Sequence, residues 1–243
     1  MNIALIPARS GSKRLSDKNI KLLRGIPLLA YSINAALESR MFEEIIVSTD
    51  SEEIAEVARS WGAKVPLLRP RELSTDTSTD AEWVFHAIHN LVSVPTDGIN
   101  YVSILRPTSP LRKSLTIINA IERLDINNWA DSTRAMESVS QHPGKMWSVD
   151  ENFMATPYLD QSREVIPTFN RPLQTLEKLW IQNASLEVAR LSSMMKHRTI
   201  SGASVLAFEM PGYEGLDINT PADWEFLEHL LLKDPDLLPY LNK

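Results

Sequence analysis

Short apolar runs alternate with longer amphipathic segments through the first half of the chain, and this alternation limits the fold more than any other feature. "NIALI" precedes a helical pattern from about Pro27, "EIIVSTD" precedes "SEEIAEVARSWG", "AKVPLL" precedes "TDAEWVFHAIHNLV", and "YVSIL" precedes "SLTIINAIERL". Apolar runs of about five residues separated by helical patterns of about ten or more indicate βαβ units, hence a mostly parallel sheet with helices on both faces. The helix signals agree. Asp50 and Ser51 can cap the helix after "IIVSTD", Glu52 and Glu53 stand in its positive first turn, and Gly62 follows its last turn. Near the far end, Thr220 caps a helix that carries Pro221 at its first position.

The pattern breaks near residue 140. From Gln141 to about Pro172 the chain is rich in proline, polar residues and aromatics without helical periodicity, and "LEKLWIQNASLEVA" then reads as an extended, partly exposed strand. The expected division is an α/β core of 1–140 and 191–243 with an inserted hairpin-and-loop element of 141–190, of the kind used to reach a partner subunit.

The composition narrows the function. A net charge of -6 argues against a nucleic-acid binder, which would carry a basic excess. The absence of cysteine excludes disulfides and thiolate metal sites. No apolar stretch approaches the ~18 residues of a membrane span, and no basic segment precedes the first apolar run, so a soluble cytoplasmic protein is expected.

In an open α/β sheet ligands bind beyond the carboxyl ends of the strands. The first such loop, "PARSGSKRLSDKN", sets Arg9, Lys13, Arg14 and Lys18 around Gly11, more positive charge than a strand-to-helix turn needs, and a polyphosphate is the ligand this suits. Neither G-x-x-x-x-G-K-[ST] nor G-x-G-x-x-G is present, which disfavours P-loop and dinucleotide readings. "LRPRELSTDT" adds Arg69 at another carboxyl edge, and "LRPTSPLR" supplies a stiff loop with Thr108 and Ser109 hydroxyls. In "GLDINTPADW", Asp217 and Asn219 fall at alternate positions of an expected short strand, a plausible Mg²⁺ site, whereas Asp223 fits a helix cap. His86 and His89 share a helix face without a ligand partner. His142 and Lys145 open the insertion, where they could face an anionic sugar.

With these segments assembled, the chain resembles the acylneuraminate cytidylyltransferase family, which includes the CMP-legionaminic and CMP-pseudaminic acid synthetases. "IPARSGSKRLSDKNI", "GIPLLAYSINAAL", "EIIVSTDSEEIAEVA", "LRPRELSTDT", "RPTSPLR" and "LDINTPADW" match it in type and order. The resemblance implies a Rossmann-like, nucleotide-diphospho-sugar transferase-like core with a protruding dimerisation element, and hence a homodimer. It implies transfer of CMP from CTP to the anomeric hydroxyl of a nonulosonic acid with release of pyrophosphate. Pro7, Ala8, Arg9, Ser12 and Lys18 would hold the nucleotide, Arg69 would help recognise it, and Asp217, with Asn219, would bind Mg²⁺. The acceptor's carboxylate calls for an arginine, with Arg106, Arg163 and Arg171 as candidates. Four departures stand out: Asn219 replaces a second aspartate, Arg106 a glutamine, Asp80 a serine, and Ile181 an arginine of the insertion. They open the acceptor to acids other than N-acetylneuraminate. They also keep two alternatives in view, a CMP-Kdo synthetase-like enzyme and a catalytically weakened nucleotide-sugar binder.

Overall fold

A computed structural model describes residues 1–90, 92–93, 95–159 and 166–239. In chain order the regular elements are β1 (Asn2–Pro7), β2 (Leu22–Leu23), β3 (Ile26–Pro27), α1 (Leu28–Ser39), β4 (Glu44–Ser48), α2 (Glu52–Ser60), α3 (Asp80–Asn90), β5 (Tyr101–Leu105), α4 (Ser114–Ile126) and β6 (Ser132–Ser138). They continue with β7 (Trp147–Val149), β8 (Ala155–Pro157), β9 (Trp180–Arg190), α5 (Leu191–His197), β10 (Val205–Glu209) and α6 (Pro221–Lys233).

The central sheet is six-stranded, in the order β10-β6-β9-β5-β1-β4. β1 lies between β4 and β5, parallel to both, whereas β9 runs antiparallel to β5. Side chains of β1 alternate between two cores, as the pleat requires. Ala4 and Ile6 face a cluster with Leu29 and Ile33 of α1, Ile54 of α2 and Ile117 and Ile121 of α4. Ile3 and Leu5 face another with Trp83, Val84 and Ile88 of α3 and Met194 of α5. Helices therefore cover both faces. A third cluster joins Leu28 and Tyr31 to Ile218 and to Trp224 and Leu227 of α6. Among the described residues no helix is long and apolar enough to cross a membrane.

One expected strand does not form. "AKVPLL" makes only an isolated parallel bridge, Ile46 with Lys64, because Pro66 has no N–H to carry a ladder onward and Leu67 is exposed. Asp217 to Asn219 likewise forms no strand; the Ile218 N–H donates to the Thr108 carbonyl at 2.8 Å instead.

The chain divides into two compact units, Met1–Ala135 with Asn183–Lys243, and Met136–Gln182. The division falls inside β9. Leu186, Val188 and Ala189 are buried in the sheet and belong with the core, although the sequence pattern puts residues to 190 in the insertion. The smaller unit contains the antiparallel β7–β8 hairpin and a tilted stack of Trp147 on Phe169, ring centroids 4.7 Å apart.

Candidate functional site

The loop after β1 owes its shape to four local features. The Ala8 N–H continues the ladder by donating to Ser48 O at 3.0 Å, Gly11 takes a left-handed φ of +67°, Asp17 takes one of +49°, and the Asn19 amide donates to Arg9 O at 3.0 Å. The loop bounds a cleft of about 250 Å³ lined by, among others, Arg9, Lys13, Arg14, Lys18, Arg69 and Arg106. Pro7, Ser12 and Asn219 also line it. Ala8 is buried behind the cleft with its N–H already used.

The cations are gripped by acids of the same chain. Arg9 Nη2 pairs with Asp76 Oδ1 at 2.7 Å and its Nη1 donates to Ser74 O at 3.0 Å, while Lys13 Nζ also pairs with Asp76. The hydrogen bond from Lys13, then that from Arg9, holds the Asp76 carboxyl down at about 2. Asp50, expected as a helix cap, instead accepts from the Ser10 N–H at 2.7 Å and its hydroxyl at 2.8 Å; the cap of α2 is Ser51, whose Oγ accepts from Ile54 N. An anion thus already occupies part of the curled backbone foreseen for phosphate.

Lys18 stands at the Asp217 end of the cleft. Its ammonium donates to Ile218 O at 2.8 Å and to Asn219 Oδ1 at 3.2 Å. Burial lowers its pKa below the usual lysine value, against an upward pull from Asp217. Asn219 Nδ2 donates to Asp217 Oδ2 at 2.6 Å, and Asp217 Oδ1 is buried with no hydrogen-bond partner. Among the described residues no group of three or more acids or histidines could cage an ion. One orphaned carboxylate oxygen beside a cationic cleft fits Mg²⁺, which usually takes one or two carboxylates and fills its shell with phosphate and water. Asp223 forms a capping box with Thr220, as its position suggests.

At the other end, Arg69 is buried under Trp83, its guanidinium 5.1 Å from the ring centroid, and its Nε donates to Ser48 Oγ at 2.9 Å. Burial lowers its pKa to about 10, opposed by Asp50, so it stays charged at neutral pH. Arg9, Lys18 and Arg69 all line the one cleft. Arg106 is taken up by Asp80 and approaches Glu187 at 3.7 Å. Arg112, closing the "RPTSPLR" loop, is fully buried and reaches Ser32 Oγ at 2.6 Å, Arg106 O at 3.2 Å and Ser185 O.

Lys145 belongs to the smaller unit, where its ammonium donates to Phe169 O at 3.2 Å and Arg171 O at 2.7 Å. Arg171 donates to Thr175 O at 3.1 Å, and Arg163 lies outside the described residues. Trp83, Glu187 and Arg134 carry no mark in the sequence, and Asp76 lies within "LRPRELSTDT" without being distinguished there from its neighbours; only the partners that the fold brings to them give them a role.

Residues 3–210 match the family model described as Cytidylyltransferase. The chain is 36% identical over 231 residues to the CMP-N,N'-diacetyllegionaminic acid synthase of Legionella pneumophila, covering 94% of this chain and 95% of that one. It is 36% identical over 225 residues to the N-acylneuraminate cytidylyltransferase of Escherichia coli, 92% of this chain but only 50% of that longer one. A solved structure of CMP:2-keto-3-deoxy-manno-octonic acid synthetase complexed with CTP superposes with a TM-score of 0.69 at 14% identity, over 96% of this chain and 100% of that chain; at this identity the likeness concerns the fold.

Proposed function

The chain belongs to the cytidylyltransferase family, and from that premise we propose that it transfers CMP from CTP to the anomeric hydroxyl of a nonulosonic acid, releasing pyrophosphate. The observation that carries this reading is a single cleft joining the cationic loop to the stretch around Asp217: Arg9, Lys18 and Asn219 all line it, and Asn219 is bonded to Asp217. Arg9 and Lys18, with Lys13 and Arg14 on the same wall, steady the triphosphate. Pro7, Ser12 and Arg69 bound the nucleotide.

Attack of the sugar hydroxyl on the α-phosphorus forms the new P–O bond and breaks the bond to pyrophosphate, while the hydroxyl's proton is lost to water. Charge grows on nonbridging oxygens and on the leaving group, so the cations of the cleft supply most of the catalysis once the triphosphate has drawn them from their resting partners. Bound Mg²⁺, held by Asp217 and by Asn219 once Lys18 yields its amide oxygen, would neutralise phosphate charge. The triphosphate also competes with Asp76 for Arg9 and Lys13. The smaller unit carries exposed Trp147, Phe153, Met154 and Tyr158, which supports a role for it in a homodimer.

The test is pyrophosphate release with CTP, Mg²⁺ and a panel of legionaminic, pseudaminic, N-acylneuraminic and eight-carbon acids. Release with one or more nine-carbon acids supports the reading. Turnover confined to the eight-carbon acid would replace it with CMP-Kdo synthesis, and tight CTP binding without release on any acid would replace it with the binder.

A further inference from the structure

Arg106 stands in the cleft wall with acids on two sides. Its carbonyl is tied by the Ser32 hydroxyl at 3.0 Å and by Arg112 at 3.2 Å, so its backbone is fixed. Its Nη2 alone serves two carboxylates, pairing with Asp80 Oδ2 and lying 3.7 Å from Glu187 Oε1. Asp80 Oδ1 accepts from the Trp83 indole N–H at 2.9 Å. Glu187 is gripped in turn by Arg134, whose Nη2 also donates to Ser201 Oγ at 2.9 Å. Asp80, Arg106, Glu187 and Arg134 therefore alternate in sign and cancel. Burial pushes the Asp80 carboxyl up, but the Arg106 guanidinium, the Trp83 indole and Arg134 together outweigh it and keep Asp80 below the ordinary range, hence ionised.

An arginine receives a carboxylate best through two parallel N–H groups. Arg106 has no such edge to give. A third carboxylate meeting Nη2 would lie against Asp80 and Glu187, and Nε is buried where no ligand reaches it. Only Nη1 is left, with no hydrogen-bond partner among the described residues. The two N–H groups of one nitrogen diverge and cannot grip a carboxylate side by side, so in this neutralised setting Nη1 suits a neutral oxygen.

We infer that the Asp80–Arg106 pair, braced by Glu187 and Arg134, is a specificity-determining element that receives a neutral oxygen of the acceptor, the carbonyl of an N-acyl group, while a different cation meets the acceptor's carboxylate. The inference rests on the cytidylyl-transfer reading and deepens it. The matched relatives share the cytidylyl group in their names and differ in the acid. A joint change of two cleft residues, at positions where the sequence departs from the family pattern, therefore falls on the partner that varies. Asp80 begins α3 and Arg106 follows β5, so the two meet only in the fold, as a matched pair would.

The test is a double-mutant cycle of Asp80→Ser, Arg106→Gln and the double variant, read by pyrophosphate release with an N-acylated acid and its free-amine counterpart. Asp80→Asn serves as a size-preserving second variant, and thermal midpoints report folding. Wild type should prefer the N-acylated acid by about tenfold, the scale of one hydrogen bond to a neutral group. Arg106→Gln should shrink that preference. Each single variant should raise KM for the acid by about tenfold while KM for CTP stays within about twofold, and the double variant should be less impaired than the product of the singles. Multiplying effects, an unchanged preference between the two acids in every variant, or KM for CTP moving in step with KM for the acid would overturn the inference. Wild type that releases no pyrophosphate with any acid would instead overturn the cytidylyl-transfer reading beneath it.

Discussion

Arg112 is the residue whose loss should be felt furthest from its own position. It is fully buried, and burial pulls its pKa down to about 9, against an upward pull from Glu214, which leaves it charged at neutral pH. Its guanidinium holds the Arg106 carbonyl, the Ser32 hydroxyl and the Ser185 carbonyl of β9. Consider Arg112→Met, which keeps most of the stem and creates little cavity. The Ser32 hydroxyl and Arg106 carbonyl keep each other at 3.0 Å, so their loss is the net value of an ordinary hydrogen bond, about 0.5–1.5 kcal/mol each. Ser185 O loses its charged donor, a further ~1–3 kcal/mol. Relief from burying a cation without a carboxylate partner returns part of this, leaving a net destabilisation of about 2–4 kcal/mol. For a chain of this size that corresponds to a fall in thermal midpoint of about 5–15 °C.

The functional effect runs through the loop. Pro107 and Thr108 line the cleft, and Thr108 O holds Ile218 beside Asp217. Arg112→Met should therefore lower kcat/KM at temperatures where the protein remains folded and raise the Mg²⁺ concentration needed for half-maximal rate. Thermal unfolding and a Mg²⁺ titration of pyrophosphate release provide both readouts. A midpoint within about 1 °C of wild type, together with an unchanged Mg²⁺ requirement, would refute the reasoning that this buried cation staples the loop to the sheet.

Arg9→Ala and Asp217→Ala should each lower turnover by about a hundredfold or more, the scale of a lost preorganised charge contact, with circular dichroism unchanged; full activity in a folded variant removes that residue from the reaction. Asp76→Asn frees Arg9 and Lys13, so CTP should bind more tightly at low ionic strength and the gain should fade in high salt; weaker binding in titration calorimetry would instead make Asp76 an orienting residue. The lowered pKa of Lys18 has two consequences of opposite sign. As pH rises through that pKa, triphosphate affinity should fall, beginning below the ordinary lysine range. Over the same window, up to the unfolded value, this group's contribution to stability should grow, because the unfolded chain then binds more protons. In Lys18→Arg the alkaline loss of affinity should disappear, and its persistence would assign the titration to another group.

The parts of this molecule legible in its sequence are those written by local chemistry. Apolar runs of sheet length gave β1, β4 and β5, and Thr220, Pro221 and Asp223 announced the start of α6 before any packing was known. Arg9, Lys13, Arg14 and Lys18 were conspicuous because no turn needs that much charge, and all four line one cleft. Pairings between distant segments were not legible. Arg9 meets Asp76 across 67 positions and Arg134 meets Glu187 across 53, separations that no pattern of spacing encodes. For the same reason Arg106 read as an open carboxylate receptor, whereas the fold gives its Nη2 to Asp80 and Glu187. The run at Val65 to Leu68 failed as a strand because Pro66 interrupts a pattern that hydrophobicity alone would accept. The sequence pattern puts strand β9 wholly outside the core because its exposed first residues mask the buried stretch from Ser185 to Ala189.

The most direct test of the central claim is a crystal structure of the protein with CTP and Mn²⁺, the ion located by its anomalous signal. The account predicts one nucleotide whose phosphates touch Arg9 and Lys18 and whose metal is held by Asp217. A nucleotide bound elsewhere, or a metal on the triphosphate that leaves Asp217 without contact, would contradict it.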